Sequence, residues 1–414
     1  MTYTRTLGCL RCAANYPDPS LELVGRGCPA CAADGVPANV LPVYDLPDLA
    51  AVPVAEGEPG LFRYRALLPL AADTPAVSLA EGATPVVGLP AVAERLGVAS
   101  VVVKDETRNP TWSYKDRLAS VAVTKAVELG IDTVVVASTG NHGAAIAAYA
   151  ARAGLRCVVL TVASVPSTMK TLMQAYGASV VALPEPRQRW TLMRELVEKF
   201  GWLAMSGHAD PPVGSNPYGV DGYKTIAYEL VDQLASPPDV VVVPTAYADG
   251  LVGVARGFAD LVALGVLERS PRMVAAEPFG PLAAALASGA EVAGPVPYEP
   301  SVAFSTASPV GTFQGLSALS STGGEAVAVP SDEVILAAQR ELAASAGLYQ
   351  EAASATAWPA LATLAARGSL DPSASVVVIG TSTGLKDVGA TAATLPEVPV
   401  IEPTTDALLA AVGS

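Results

Sequence analysis

The chain has 414 residues, 25 of them basic and 39 acidic, for a net charge of −14. Hydrophobic residues make up 51% and charged residues 15%, so two or three domains with a large core are expected and disorder is excluded. The acidic balance excludes a nucleic-acid surface, which needs a basic stripe, and any anionic ligand must find a local basic pocket against the global field.

The amino terminus carries no apolar run of the secretory kind. No stretch reaches the length of a membrane span, and the Ala-rich segment 143–160 is broken by Arg152 and Arg156. A cytoplasmic protein without a membrane partner is expected, with reduced thiols, so paired cysteines read as metal ligands before disulfides. Residues 1–45 form the first unit. Cys9 and Cys12, then fifteen residues, then Cys28 and Cys31 make two C-x2-C turns, each able to place two thiolates on one tetrahedral ion. The segment is too small to fold on apolar burial alone, so a structural zinc is expected.

Residues 46–60, rich in Pro, Gly and acidic residues, read as a linker. Beyond them strands and helices alternate. Strands are predicted at 101–104, 133–137, 157–162, 180–183, 240–244, 273–277 and 376–380, with helical segments at 118–129 and 143–152. Short β-branched runs between Ala-rich helical stretches indicate βαβ units and a largely parallel sheet, or two sheets at this length.

Three strand-to-helix junctions carry polar residues suited to chemistry. In Asn109-Pro110-Thr111-Trp112-Ser113-Tyr114-Lys115-Asp116-Arg117, Lys115 stands at the start of a helix, where the dipole lowers an amine's pKa, as an imine-forming lysine requires. Ser138-Thr139-Gly140-Asn141-His142-Gly143 follows a strand and turns N–H groups toward an anion such as a phosphate or carboxylate. Thr381-Ser382-Thr383-Gly384-Leu385-Lys386-Asp387 follows a third strand. Ligands of open α/β sheets collect at the carboxyl ends of strands, so one cleft shared by the three is expected.

The run Val102-Val103-Lys104-Asp105-Glu106, leading into the block around Lys115, resembles the signature of the threonine synthase-like pyridoxal-phosphate (PLP) enzymes. Ser78 to Pro85, Tyr223 to Glu229 and Gly384 to Asp387 resemble three further blocks of that family, in the expected order, and the double C-x2-C occurs in some members. The resemblance implies fold type II, an α/β protein of two doubly wound domains with PLP between them. The large domain is expected at 61–95 plus 213–414 and the small one at 96–212, behind a zinc-ribbon-like segment. By matching position, Lys115 carries PLP as a Schiff base, Asn141 meets the 3′-hydroxyl, and Thr381 faces the pyridine nitrogen. Such a hydroxyl partner suits elimination and replacement. Ser113, Ser138, Thr139 and His142 are implied around the substrate. A homodimer is usual for this fold.

Two departures bear on the reaction. The family's phosphate loop resembles Gly-Asn-Gly-Gly-Asn, whereas Ala246, Tyr247, Ala248, Asp249 and Gly250 follow the strand here, and a carboxylate aimed at a phosphate is costly unless it is paired. The family's Asn-Pro-x-Arg-x-x-Gly-x-Lys-Thr block supplies an Arg to the phosphate of O-phosphohomoserine, and Gly219 takes that place. Lys224, Arg187 and Arg189 are the candidate substitutes. The resemblance thus implies a PLP-dependent lyase of amino-acid metabolism. It converts O-phosphohomoserine to threonine or acts on a related amino acid with another leaving group. The alternatives are a serine/threonine dehydratase-like ammonia-lyase and a catalytically lapsed binding subunit.

Overall fold

The computed structural model describes residues 3–46, 58 and 60–413. Most of the linker expected at 46–60 therefore lies outside the described residues.

Among the described residues the strands, in chain order, are β1 (Tyr3–Cys9), β2 (Asn15–Pro17), β3 (Val40–Tyr44), β4 (Val86–Gly88), β5 (Ser100–Asp105), β6 (Thr133–Ala137), β7 (Arg156–Val162), β8 (Ser179–Leu183), β9 (Leu203–Ala204), β10 (Val240–Pro244), β11 (Arg272–Glu277), β12 (Glu325–Ala328) and β13 (Ser375–Gly380). They form three sheets, in the orders β2-β1-β3, β12-β11-β10-β13-β5-β4 and β8-β7-β6-β9. The last is wholly parallel. The six-stranded sheet is parallel except for β4, which runs antiparallel along its edge.

The valine runs explain the sheet cores. Every residue of β10 is buried, because helices cover both faces of a parallel sheet and leave no polar side for alternation. The strands legible in the sequence are these long apolar ones. The three-residue β4, the two-residue β9 and the Ala-rich β12 are too short to show a period and are found only by their pairing.

One expected boundary moves. A small domain beginning at 96 would own β5, yet β5 pairs with β13 from Ser100–Ser375 to Asp105–Gly380 and lies inside the six-stranded sheet. Strand type cannot reveal which sheet a strand joins. Register with a partner 275 residues on decides it.

The amino-terminal sheet is no free-standing module. Leu7, Val40 and Leu41 are buried in a core continuous with Leu118, Val220 and Leu251 of the main body. Tyr44 Oη donates to buried Asp221, which also accepts from Arg256 Nε at 2.9 Å and pairs with Lys224 at 3.8 Å.

Candidate active site

The site is built on a buried polar knot made from the motif charges. Arg117, in the helix Lys115–Glu128, is fully buried. It donates to Glu106 at 2.7 and 2.8 Å and to Glu229 at 2.6 and 2.8 Å. Lys104 Nζ donates to Glu229 at 2.6 Å and to the carbonyl of Thr84 at 2.6 Å. Two cations and two carboxylates therefore compensate one another, as buried charges must. Burial pushes the Glu229 carboxyl up, but Arg117 and Lys104 outweigh it and hold it at about 2. The family blocks at 102–106, 109–117 and 223–229 thus converge because their charges are mutual partners, and block 78–85 joins them through the hydroxyl and carbonyl of Thr84.

Above this knot, the Lys115 turn is clamped to the segment after β13. Tyr114 N–H donates to the carbonyl of Thr381 at 2.9 Å, Thr383 N–H donates to that of Trp112 at 3.2 Å, and Ser113 and Ser382 form an antiparallel bridge. Asp116 closes the turn by accepting from the N–H and hydroxyl of Thr111 at 2.8 and 2.7 Å. Trp112 sits at a positive φ of 61° and is exposed, so the turn is strained at the rim of the site. Lys115 Nζ lies 5.0 Å from the ring centroid of Tyr114 and 5.7 Å from that of Tyr223, and the two rings stack at 4.8 Å. Ser113 Oγ is buried and has no hydrogen-bond partner among the described residues.

The loop after β6 supplies the second wall. Ser138 Oγ accepts from the N–H groups of Gly140 and Gly143 at 3.2 and 2.8 Å, so this hydroxyl shapes the turn before the helix Asn141–Ala153. Thr139 is half-buried. Burial and the Lys115 ammonium drive His142 well below the ordinary histidine range, which keeps it neutral beside Lys115. Asn141 Nδ2 donates to Glu351 at 2.7 Å, and Asn141 Oδ1 accepts from Lys386 at 2.6 Å.

The loop after β10 supplies the anion cradle. Among the described residues, the N–H groups of Ala246, Tyr247, Ala248, Asp249 and Gly250 have no intramolecular acceptor. They open the helix Asp249–Ala263, and the positive φ of 67° at Ala248 curls them together. Gly250 is required, since a Cβ there would lie 2.5 Å from the Tyr114 ring. The Asp249 carboxylate turns away from the cradle. It accepts from Ser215 N–H and Oγ at 2.8 and 2.6 Å and from Gln314 Nε2 at 2.8 Å. The acidic residue is thus paired as its burial demands, and the backbone N–H groups of the loop are left open.

The three candidate cations separate. Lys224 Nζ is buried 2.6 Å from Asp260 and 3.8 Å from the Tyr44 ring centroid, and so is structural. Arg187 is exposed and faces Asp210 at 3.6 Å. Arg189 is half-buried beside Tyr247 and, among the described residues, bonded only to the carbonyl of Pro186 at 2.9 Å. Gly219 leaves no room for a side chain: a Cβ would lie 2.9 Å from Leu118 Cγ and 3.0 Å from Ala122 Cβ. Glu351, Lys386, Ser305 and Tyr223 complete the site without having been singled out for roles in it. Glu351 lies outside any recognised block, and Lys386 and Tyr223 are ordinary block members until the fold buries them.

Residues 77–382 match the family of pyridoxal-phosphate dependent enzymes. The threonine synthase of Methanosarcina acetivorans is 34% identical over 98% of this chain and 98% of its own length. That of Methanocaldococcus jannaschii is 36% identical over 80% and 81%. Among solved structures, O-ureido-L-serine synthase superposes with a TM-score of 0.63 at 24% identity, covering 83% of this chain and 97% of that one. Threonine deaminase isoform 2 from Solanum lycopersicum superposes with a TM-score of 0.61 at 21% identity, covering 75% and 84%, and shows the shared fold. The chain therefore belongs to the pyridoxal-phosphate dependent enzymes of fold type II, among their threonine synthase-like members.

Proposed function

We propose that this lyase is a threonine synthase, releasing a leaving group from the γ-carbon of a four-carbon amino acid and adding water at the β-carbon. The observation that carries the reading is the match to the Methanosarcina acetivorans threonine synthase over 98% of both chains, amino-terminal cysteine segment included. The residues fit the cofactor. The open N–H groups of residues 246–250 would hold its phosphate, Lys115 would anchor it and shuttle the proton at the substrate α-carbon, and Asn141 and buried Thr381 would meet its ring. Bound there, PLP supplies the electron sink for carbanion chemistry. Ser113, Thr139 and the N–H groups at the start of the helix Asn141–Ala153 would receive the substrate carboxylate, with neutral His142 beside them.

The leaving group is the open choice within this reading. With Gly219 packed shut, Arg189 is the candidate cation without a carboxylate partner, and we assign it to an anionic leaving group. The test compares catalytic efficiency on O-phosphohomoserine, O-acetylhomoserine, serine and threonine. Threonine and phosphate formed from the first, in preference to the rest, is the expected result. Preference for an uncharged leaving group overturns the substrate assignment, and release of ammonia from serine or threonine alone would favour the dehydratase reading.

We infer that Cys9, Cys12, Cys28 and Cys31 hold a structural zinc. Their ligand atoms lie within 4.8 Å of one another, with Cys9–Cys31 and Cys12–Cys28 sulfur separations of 3.5 and 3.6 Å. A tetrahedral ion with bonds of about 2.3 Å needs sulfurs roughly 3.8 Å apart, and a disulfide about 2.05 Å. A cytoplasmic homodimer accords with reduced thiols and with the fold family. Sedimentation of the holoenzyme at micromolar concentration tests the dimer.

A further inference from the structure

Asn141 is held from both ends by opposite charges. Its Oδ1 accepts from the Lys386 ammonium at 2.6 Å, and its Nδ2 donates to Glu351 Oε2 at 2.7 Å. Glu351 is itself fixed, because its Oε1 accepts from Ser305 Oγ at 2.6 Å and its backbone N–H donates to the carbonyl of Ser382 at 3.0 Å. Ser382 Oγ adds a contact at 3.4 Å to Asn141 Oδ1. Lys386 is 2% exposed and Glu351 fully buried. Turning the amide over would set its NH2 against an ammonium and its oxygen against a carboxylate, two repulsions with no water to relieve them. One orientation is therefore enforced, and one Nδ2 hydrogen is left for a ligand.

We propose that Lys386 and Glu351 are positioning residues that lock the Asn141 amide in the orientation that donates to the cofactor ring. This rests on the reading of the site as a PLP site with Asn141 at the ring. An alanine or an apolar residue at 386 would free the amide to turn and leave Glu351 as an uncompensated buried charge. The groups facing Lys386 are Glu351 and Asp116, and burial outweighs their pull, pushing the ammonium down to about 8. Below that pH the ammonium lies one amide away from the ring and disfavours protonation there, while the Glu351 carboxylate does the opposite.

The test uses the holoenzyme and four variants: Lys386→Met, Lys386→Arg, Glu351→Gln and Lys115→Ala. Two quantities are read: the PLP dissociation constant, and the midpoint of the pH titration of the bound cofactor's visible absorption band. Lys386→Met should weaken PLP binding by about ten- to a hundredfold, as loss of an orienting partner does. It should move the midpoint up by about one pH unit, by loss of a like charge. Glu351→Gln should move the midpoint down, and Lys386→Arg should restore it. A structural role alone would lower the melting temperature and move neither midpoint, so Lys386→Met and Glu351→Gln with the parent midpoint and PLP affinity would overturn the proposal. Borohydride that fixes no cofactor on the parent, or fixes it equally on Lys115→Ala, would overturn the PLP-site reading at Lys115 and the positioning with it. Fixation on the parent alone, with silent Lys386 and Glu351 variants, would overturn only the positioning.

Discussion

Arg117 grips Glu229 with two hydrogen bonds, at 2.6 and 2.8 Å, although the two residues are 112 positions apart in the chain and both are buried. Lys104 and Glu106 complete a neutral group of four charges that joins β5, the Lys115 helix and the helix Lys224–Gln233. Removing one member strands its partner. Arg117→Met should destabilise the protein by about 3–5 kcal/mol in urea unfolding. Arg117→Lys should recover only part of that, because a point charge cannot fork between two carboxylates. A loss below about 1 kcal/mol for Arg117→Met would show that the knot is dispensable.

Two buried carboxyls should give opposite pH dependences of stability. Glu229 is held at about 2, below its ordinary value of 4.5, so its contribution is complete above 4.5 and lost as pH falls toward 2. The unfolded chain binds the extra proton over that window, and the effect is worth roughly 3 kcal/mol. Glu277 behaves oppositely. Burial pushes it up to about 7, although it accepts from the N–H groups of Leu282 and Ala283 at 3.1 Å. There the folded chain keeps the proton, so stability falls as pH rises from 4.5 to 7. Unfolding free energies of Glu277→Gln should decline less than the parent's over that range, Asp116 keeping its own share because burial pushes it up to about 7 as well, and should keep the acid limb. A variant whose decline matches the parent would remove Glu277 as its cause.

Lys115→Ala should lower turnover by at least about a thousandfold, since on the proposed reading the same amine would anchor the cofactor and move the α-proton. The fold should persist, because Lys115 takes no part in the charge knot beneath it. Circular dichroism and mass analysis after borohydride reduction check both halves, and full activity in the variant would reject the lysine.

If the four cysteines hold the proposed zinc, Cys28→Ala should lose it, with the melting temperature falling by on the order of 5 °C. The turnover of folded protein should be retained, since the four cysteines come from the end of β1, the turn after it and the helix Pro29–Ala33 with its N-cap, not from the loops that form the site. Atomic absorption of protein prepared without chelator measures the metal. Less than one zinc per two chains in the parent would reject the ion.

Gly219→Ala should destabilise by about 1–3 kcal/mol, because the added methyl meets Leu118 and Ala122 at 2.9–3.0 Å. Gly219→Arg should be worse and should not improve the use of O-phosphohomoserine. Recovery of phosphate-substrate turnover in the arginine variant would show that Leu118 and Ala122 give way.

The long buried strands, the start of the Lys115 helix and the four-cysteine spacing are local properties, so the sequence by itself determined them. β-branched runs, a Pro-bearing turn and paired C-x2-C turns each specify their geometry within about ten residues. The family blocks also implied one cleft for Lys115, Asn141 and Thr381, whose neighbouring segments are hydrogen-bonded to one another. Tertiary structure alone decided what their neighbours do. Asp249 reads as a misplaced charge at a phosphate loop until Ser215 and Gln314 are seen to hold it aside. Glu351 and Lys386 become site residues only when two distant segments bring their charges to the two ends of one amide. β5 reads as a strand of either domain until its pairing with β13 places it. The physical reason is common to all three. A buried charge and a strand edge must each be satisfied by a partner, and the partners here come from far along the chain, where spacing carries no information.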